Sequence, residues 1–152
     1  MSEPLNGRGN TISLKLPGGE CLLVNHAYNA NPVSMRAALS IFPHLSINGA
    51  ARKIAVLTDM LELGDDSKKM HEDIADSVIE FGVDLVLIVT GQISYIKNKI
   101  PVGFPCIEFS SLDLMFSYID LILQGGDVVV FKGSNGTGLN KAVSAFFRKK
   151  IS

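Results

Sequence analysis

Five polar side chains fall within one seven-residue segment of the chain. They are Asn25, His26, Tyr28, Asn29 and Asn31. An asparagine amide both donates and accepts hydrogen bonds, so the grouping suits a polar ligand or a hydrated metal–phosphate group. A structural interpretation stays open beside it, in which Asn29 and Asn31 cap a helix that begins at Pro32. His26 alone indicates little, because a single loop histidine serves equally well as an internal hydrogen-bonding partner.

A second polar segment, residues 58–66, places Asp59 directly after an apolar run. A carboxylate at the end of a strand can hold an ammonium group or act as a base. The alternative is that Asp59 caps a short turn. The other acidic residues of the segment precede a helix, whose N-terminus favours negative charge. His71 lies on that helix, one position from its apolar stripe, and both a functional and a structural role stay open for it.

The segment 132–138 reads Lys-Gly-Ser-Asn-Gly-Thr-Gly and is the best candidate for binding an anion. It combines Lys132 at a strand end with glycines that let backbone N–H groups converge, and a helix follows it. A glycine-rich turn without a ligand is the alternative. The segment is not a dinucleotide fingerprint, and the P-loop order GxxxxGK[ST] is absent from the whole chain.

Short runs rich in β-branched residues predict the strands that position these segments. The runs are residues 12–16, 21–24, 54–57, 85–89, 106–109 and 128–131. The turn sequence Pro17-Gly18-Gly19 predicts a hairpin between the first two, and helical stretches separate the others. This alternation is typical of right-handed crossovers. The predicted fold is α/β: a Rossmann-like three-layer αβα domain whose mostly parallel sheet has about six strands and one antiparallel N-terminal edge strand.

Four helices are predicted around this sheet. The first begins at Pro32, and the second is capped by Ser67 and stopped at Gly82. A third follows Ser111 and a fourth follows Gly138. The second helix is expected to direct an apolar face inward, and that face consists of Met70, Ile74, Val78 and Phe81. Since ligands bind beyond the carboxyl ends of parallel strands, the three polar segments are expected at one edge of the sheet.

Composition restricts the class of protein. With 152 residues, 47% of them hydrophobic and 19% charged, the chain fits one globular domain and not a disordered tail. A net charge of −1, with basic residues clustered only at 148–150, argues against nucleic-acid binding. No apolar run approaches the ~20 residues that span a membrane. Cys21 and Cys106 lie in apolar runs and no signal peptide precedes them, which predicts free thiols in the cytoplasm.

Three motifs in order resemble the MurF family of Mur ligases, over residues 7–151. They are Tyr-Asn-Ala-Asn-Pro at 28–32, Asp-Met-Leu-Glu-Leu-Gly at 59–64 with His71 downstream, and Lys-Gly-Ser at 132–134. The resemblance implies a leader or central-domain linker at 1–10 and a C-terminal, amino-substrate domain at 11–152. It implies an enzyme that uses ATP and Mg²⁺ to join D-Ala-D-Ala to UDP-MurNAc-tripeptide through an acyl phosphate. The N-terminal and central domains are missing, so the chain alone is expected to be inactive.

The resemblance also implies roles for individual residues. Those expected to contact the nucleotide are Arg8, His26, Asn29 and Asn31. Those expected to frame the incoming dipeptide are Tyr28, Asp59, Lys132, Gly133, Ser134 and Asn135. No catalytic residue and no metal ligand is implied within this domain.

The chain departs from the family pattern at three places. Where the family has Asp-Asp-Ser before the tyrosine, this chain has Asn25-His26-Ala27, so the expected ribose-binding carboxylate is replaced by His26. Thr58 stands where the family has glycine. Asn135 replaces an arginine and removes a bidentate carboxylate clamp. A non-catalytic Rossmann-like domain that binds a small ligand or a partner is therefore the alternative function.

Overall fold

The computed structural model describes residues 10–45 and 52–151. One sheet of six strands runs through this part of the chain in the order β1-β2-β6-β3-β4-β5. The strands are β1 Asn10–Leu16, β2 Gly19–Asn25, β3 Lys53–Leu57, β4 Leu85–Val89, β5 Cys106–Phe109 and β6 Val128–Lys132. All neighbours pair in parallel except β1 and β2, whose antiparallel register runs from Asn10↔Asn25 to Leu16↔Gly19. The predicted strand count and the antiparallel edge are confirmed.

Helices cover both faces of the sheet and give it three layers. They are α1 Pro32–Leu39, α2 Ser67–Glu80, α3 Leu112–Ile122 and α4 Leu139–Ile151. One core packs α1 and α2 against the sheet, and a second core packs α3 and α4 against the opposite face. Short 3₁₀ helices lie at Phe42–His44, Gly64–Asp66, Gln92–Asn98 and Asn135–Thr137. Among the described residues no helix is long and apolar enough to cross a membrane.

Two details of α2 differ from the prediction. Ser67 does not cap the helix: it is the first helical residue, and the residue before it, Asp66, makes no capping bond with its side chain. The 3₁₀ turn at Gly64–Asp66 feeds directly into α2, so no separate cap is needed. The inward face is also wider than predicted: Ile74 and Val78 are buried as expected, His71 and Ala75 are buried beside them, and Met70 and Phe81 are only partly buried. Gly82, at φ 71°, follows the helix as expected.

Helix α3 packs on the opposite face of the sheet from α1 and α2. Ser111 caps it as predicted, with its side chain accepting from the N–H of Leu114 at 3.2 Å. Met115 and Ile119 are its buried residues. In α4 the buried residues are Leu139, Val143, Phe146 and Phe147.

Strand β6, the last strand in the sequence, lies between β2 and β3 in the sheet. The chain leaves β2 and β3 toward the α1–α2 face, whereas it leaves β6 toward the α3–α4 face. Adjacent connections therefore diverge at the carboxyl ends of β2 and β6. Such a divergence opens a crevice, which is where open α/β sheets bind their ligands.

Candidate functional site

Three loops meet at this crevice: the β2 loop (residues 26–31), the β3 loop (58–63) and the β6 loop (133–138). Backbone hydrogen bonds tie them together just beyond the strands. The N–H of His26 donates to Phe131 O at 2.9 Å, and the N–H of Thr58 donates to Lys132 O at 3.0 Å. The N–H of Ser134 donates to Asp59 O at 2.9 Å. The predicted convergence of the three polar segments is therefore observed.

Lys132 is a buried cation at the centre of this meeting point. Its residue is only 6% exposed, and its ammonium donates to the backbone carbonyl of Asn29. Within residues 10–45 and 52–151, Lys132 takes part in none of the ion pairs. Burial lowers the pKa of Lys132, because the charged form loses its hydration. An ammonium group has three donors, so it retains the capacity to bind an anion.

Ser134 joins all three loops through its buried hydroxyl and backbone. The hydroxyl accepts from the N–H of Leu61 at 2.8 Å and donates toward Ala30 O at 3.4 Å. Sequence reasoning placed Ser134 against the dipeptide, but its hydroxyl is already engaged between loops. The β6 loop is folded as a 3₁₀ turn in which the N–H groups of Thr137 and Gly138 are bonded internally. Lys132 is therefore the main source of positive charge that this loop presents.

Gly133 allows the β3 and β6 loops to approach each other. A Cβ atom at this position would lie 1.8 Å from Thr58 Oγ1, so any side chain here would force the Thr58 side chain to move. The Thr58 hydroxyl itself is 2.8 Å from that of Thr137, so the two threonines join the loops. The geometry assigns Gly133 to close packing beside Lys132.

Asp59 caps a neighbouring turn, as the structural alternative anticipated. Its Oδ1 accepts from the N–H of Ile93 at 2.8 Å, at the start of the 3₁₀ helix Gln92–Asn98. Gly91 packs against the same carboxylate, since a Cβ there would lie 2.7 Å from Oδ1. In the described part of the chain Asp59 also has no ion-pair partner. The crevice therefore holds one cationic and one anionic side chain, each bonded to backbone.

His26 lies close to Lys132: its N–H donates to Phe131 O, the residue before Lys132, and the charge of Lys132 acts on its ring. Burial lowers the pKa of His26, and the charge of Lys132 lowers it further. The ring is therefore neutral at pH 7, so it cannot reinforce the positive charge. Asn25 is structural: its Oδ1 accepts from the N–H of Ala27 at 2.8 Å, and its Nδ2 donates to Asn140 at 3.1 Å.

The remaining predicted site residues lie at the surface. Asn31 caps α1 in a reciprocal pair with Ser34, which confirms its structural interpretation. Asn29 Oδ1 accepts from the N–H of Ala30 at 2.9 Å. Tyr28 and Asn135 are exposed. Nothing in these contacts tests a role toward a nucleotide, so those roles stay predictions, and Arg8 lies outside the described residues.

The apolar-stripe argument missed His71 as a buried member of this region. Its residue is fully buried, and Nε2 accepts from the N–H of Met60 at 2.9 Å. The signal for it was its place in the motif at residues 59–71, four residues after Ser67. The other functional groups of the crevice were all present in the predicted loops.

Comparison with known proteins identifies the domain. The sequence model described as "Mur ligase, glutamate ligase domain" matches residues 7–135. The chain belongs to this Mur ligase domain family. It is 27% identical over 140 residues to the UDP-N-acetylmuramoyl-tripeptide–D-alanyl-D-alanine ligase of Rickettsia prowazekii, covering 92% of this chain and 30% of that protein. It is 34% identical over 122 residues to the ligase of the same name from Treponema pallidum, covering 75% of this chain and 25% of that protein.

A solved structure supports the same fold. The MurF ligase from Thermotoga maritima in complex with ADP superposes with a TM-score of 0.76 at 22% identity. The match covers 98% of this chain and 32% of that one. The predicted Rossmann-like fold of a Mur ligase domain is thereby confirmed. The chain spans about a third or less of each of these relatives, and it matches their C-terminal domain.

The family implies a nucleotide and a metal, but the residues of this chain do not form a main binding site for either. The sequence has no P-loop to bind triphosphate. Within the described ranges no three His, Cys, Asp or Glu side chains group together as metal ligands.

Proposed function

We propose that this Mur ligase domain binds and orients the amine substrate of an ATP-dependent ligase that adds D-Ala-D-Ala to UDP-MurNAc-tripeptide. The family match and the named relatives support the reaction class. The observation that carries the role is the buried Lys132 at the meeting point of three loops, which forms no ion pair with the described residues. Residues 1–10 would then connect this domain, residues 11–152, to an ATP-binding domain.

A dipeptide at neutral pH carries a carboxylate at one end and an ammonium group at the other. We assign the carboxylate to Lys132, whose cost of burial an anion would offset. The ammonium group would enter beside Asp59, the carboxylate of the neighbouring loop. Gly133 and Ser134 would fix the spacing between them, while Tyr28 and Asn135 line the exposed rim.

The chain's contribution to the reaction is positional. ATP with Mg²⁺, held mainly by the other domains, would activate the carboxylate of the tripeptide. With the dipeptide carboxylate anchored, its amine can be held toward that activated carbon in a fixed direction. On the nucleotide side we place Arg8, His26, Asn29 and Asn31, with His26 acting as a neutral hydrogen-bonding group.

We propose that the reaction takes place in the cytoplasm, and the state of the cysteines supports this. Both cysteines are free: Cys21 is buried and Cys106 is partly buried. Burial raises the pKa of Cys21 to about 12, so the thiol stays protonated and unreactive. Free thiols are the normal state in a reducing compartment.

A titration of the chain followed by amide NMR tests the binding role. D-Ala-D-Ala should shift the amides of Lys132 to Asn135 in a saturable way, whereas its C-terminal amide, which lacks the carboxylate, should not. Lys132→Met should abolish the response, and the exposed Lys15→Met serves as the matched control. Equal responses to the free acid and the amide would refute the assignment of the carboxylate. Strong Mg²⁺-dependent ATP binding by the chain would refute the division of labour between domains.

A chimera tests the reaction itself. The C-terminal domain of the Escherichia coli ligase, a relative 28% identical to the chain, would be replaced by this chain. Dipeptide-dependent ligation by the chimera is expected, and Lys132→Ala should raise the KM for the dipeptide more than that for ATP. The opposite pattern would move Lys132 to the nucleotide side. A chain that binds the dipeptide but supports no ligation would favour the non-catalytic alternative.

A further inference from the structure

His71 connects a rigid helix to the loop that carries Asp59. The imidazole lies between the β3 loop and the first turn of α2, fully buried. Its Nε2 accepts from the N–H of Met60 at 2.9 Å, so the ring proton must be on Nδ1. Nδ1 lies 2.7 Å from the backbone carbonyl of Ser67, to which it donates. One ring therefore ties the loop to the helix through two bonds.

The helix end of this link is firmly placed. Ile74, Ala75 and Val78 follow His71 along α2 and are all buried in the core beneath the sheet. A side chain on such an element has little freedom to move relative to the strands. The position of His71 Nε2 is thus set by the core and not by the loop.

The loop end carries backbone strain that needs such a support. Glu62 has a φ of 62°, and it is the one non-glycine residue with positive φ in the described ranges. A left-handed conformation is unfavourable for a residue with a Cβ and persists only where its surroundings enforce it. The side chain of Met60, two residues earlier, is buried in the same core as α2.

Met60 lies between the two residues of the β3 loop that hydrogen-bond to Ser134. Before it, Asp59 O accepts from the N–H of Ser134 at 2.9 Å. After it, the N–H of Leu61 donates to Ser134 Oγ at 2.8 Å. A shift of the Met60 backbone would therefore move both contacts together. Ser134 follows Lys132 by two residues, so this shift would reach the proposed anion site.

We propose that His71 is a positioning residue for the substrate crevice. By fixing the N–H of Met60, it holds Asp59 and Leu61 at the spacing that fixes Ser134, and Ser134 in turn sets the β6 loop beside Lys132. The link from His71 through the β3 loop to the β6 loop rests only on the hydrogen bonds described above. Its consequence for the dipeptide rests on the proposed function.

Two substitutions separate this role from simple core packing. In His71→Gln the side-chain oxygen can replace Nε2 as the acceptor for Met60. In His71→Asn the shorter amide can replace only Nδ1–H toward Ser67. Amide NMR of the chain should show displaced signals for Met60, Leu61 and Ser134 in the asparagine variant, and nearly native signals in the glutamine variant. The Kd for D-Ala-D-Ala should rise roughly tenfold in the asparagine variant only.

Ile74→Val controls for stability, because it weakens the same helix without touching the loop. If His71→Asn leaves the signals of Leu61 and Ser134 in place, or if Ile74→Val weakens dipeptide binding equally, the inference is overturned. If the wild-type chain does not bind the dipeptide, the proposed function fails. The amide signals still decide the positioning role in that case, so the two failures are distinguishable.

Discussion

The two ends of the sheet differ in how their charged side chains are paired. At the amino end, the guanidinium of Arg52 meets Asp127 through two bonds, Nε to Oδ1 at 3.0 Å and Nη2 to Oδ2 at 2.7 Å. The N–H of Gln124 also donates to Asp127, and Arg52 donates to Ile122 O. At the carboxyl end, Lys132 and Asp59 form no ion pair with the described residues, and each makes a hydrogen bond to a backbone group.

This difference shows which end is built for stability and which for binding. A buried carboxylate with a guanidinium and a backbone donor has its hydrogen-bonding capacity satisfied within the fold. A buried ammonium with one backbone acceptor is a net cost to folding, and a ligand of opposite charge would relieve it. Opposite charges held apart also suit a zwitterion, whose two ends match them.

Breaking the pair at the amino end should have the largest effect. Asp127→Asn should lower the free energy of unfolding by about 3 kcal/mol, because it leaves Arg52 partly buried without its counter-charge. Urea unfolding of wild type and of Asp127→Asn measures this difference in unfolding free energy. Glu80→Gln, which breaks the exposed pair with Arg36, should cost much less. Equal losses would show that burial does not distinguish the two pairs.

Glycine substitutions compare the packing of the two ends. A Cβ at Gly125 would lie 2.2 Å from the backbone nitrogen of Gly19, whereas one at Gly133 would first meet the side chain of Thr58. A backbone cannot rotate away as a side chain can. Gly125→Ala should therefore cost about 2 kcal/mol of stability and Gly133→Ala somewhat less. Thermal unfolding ranks them, and only Gly133→Ala should weaken dipeptide binding.

Lys132→Met should have a smaller effect of the opposite sign. Removing a buried, unpaired charge while keeping the aliphatic length should raise the free energy of unfolding by about 1 kcal/mol. Lys15→Met on the exposed edge strand should leave stability unchanged. A marked loss of stability in Lys132→Met would show that the lysine is a structural partner of Asn29.

The smallest expected effect is the pH dependence of the stability that Lys132→Met gains over wild type. The pKa of Lys132 lies below its ordinary value of 10.5 in the folded chain, so folding disfavours its proton. Between the two pKa values the unfolded chain binds more protons, and the contribution of Lys132 to stability rises with pH. The gain in unfolding free energy of Lys132→Met over wild type should therefore shrink as the pH rises toward about 10.5, the ordinary pKa of lysine. Comparing the variant with wild type removes the opposite trend from Cys21, whose pKa is raised.

The sequence was sufficient for the elements but not for their order in space. The six strands could be found from short β-branched runs, and the turn at Pro17 and Gly18 predicted the hairpin. That β6 enters between β2 and β3 depends on long-range pairing, which no local pattern contains. The crevice was nonetheless predictable, because all parallel strands end at one edge.

Individual roles within the crevice were harder to predict. Asp59 and Asn31 had two open interpretations each, and only the bonds to Ile93 and Ser34 favoured the structural ones. His71 kept two open roles because apolar side chains alone defined the predicted α2 face, and such a pattern does not show a buried polar residue. Partner identity for a polar side chain depends on loop geometry, and three loops from distant parts of the chain meet here.

Urea unfolding of wild type and Lys132→Met, each with and without saturating D-Ala-D-Ala, tests the central claim most directly. Without dipeptide, the variant should be at least as stable as wild type. With dipeptide, wild type should gain stability as a bound ligand requires, and the variant should gain none. A variant that is less stable alone, or that gains as much from the dipeptide as wild type, would contradict the claim that Lys132 is kept unpaired for the substrate.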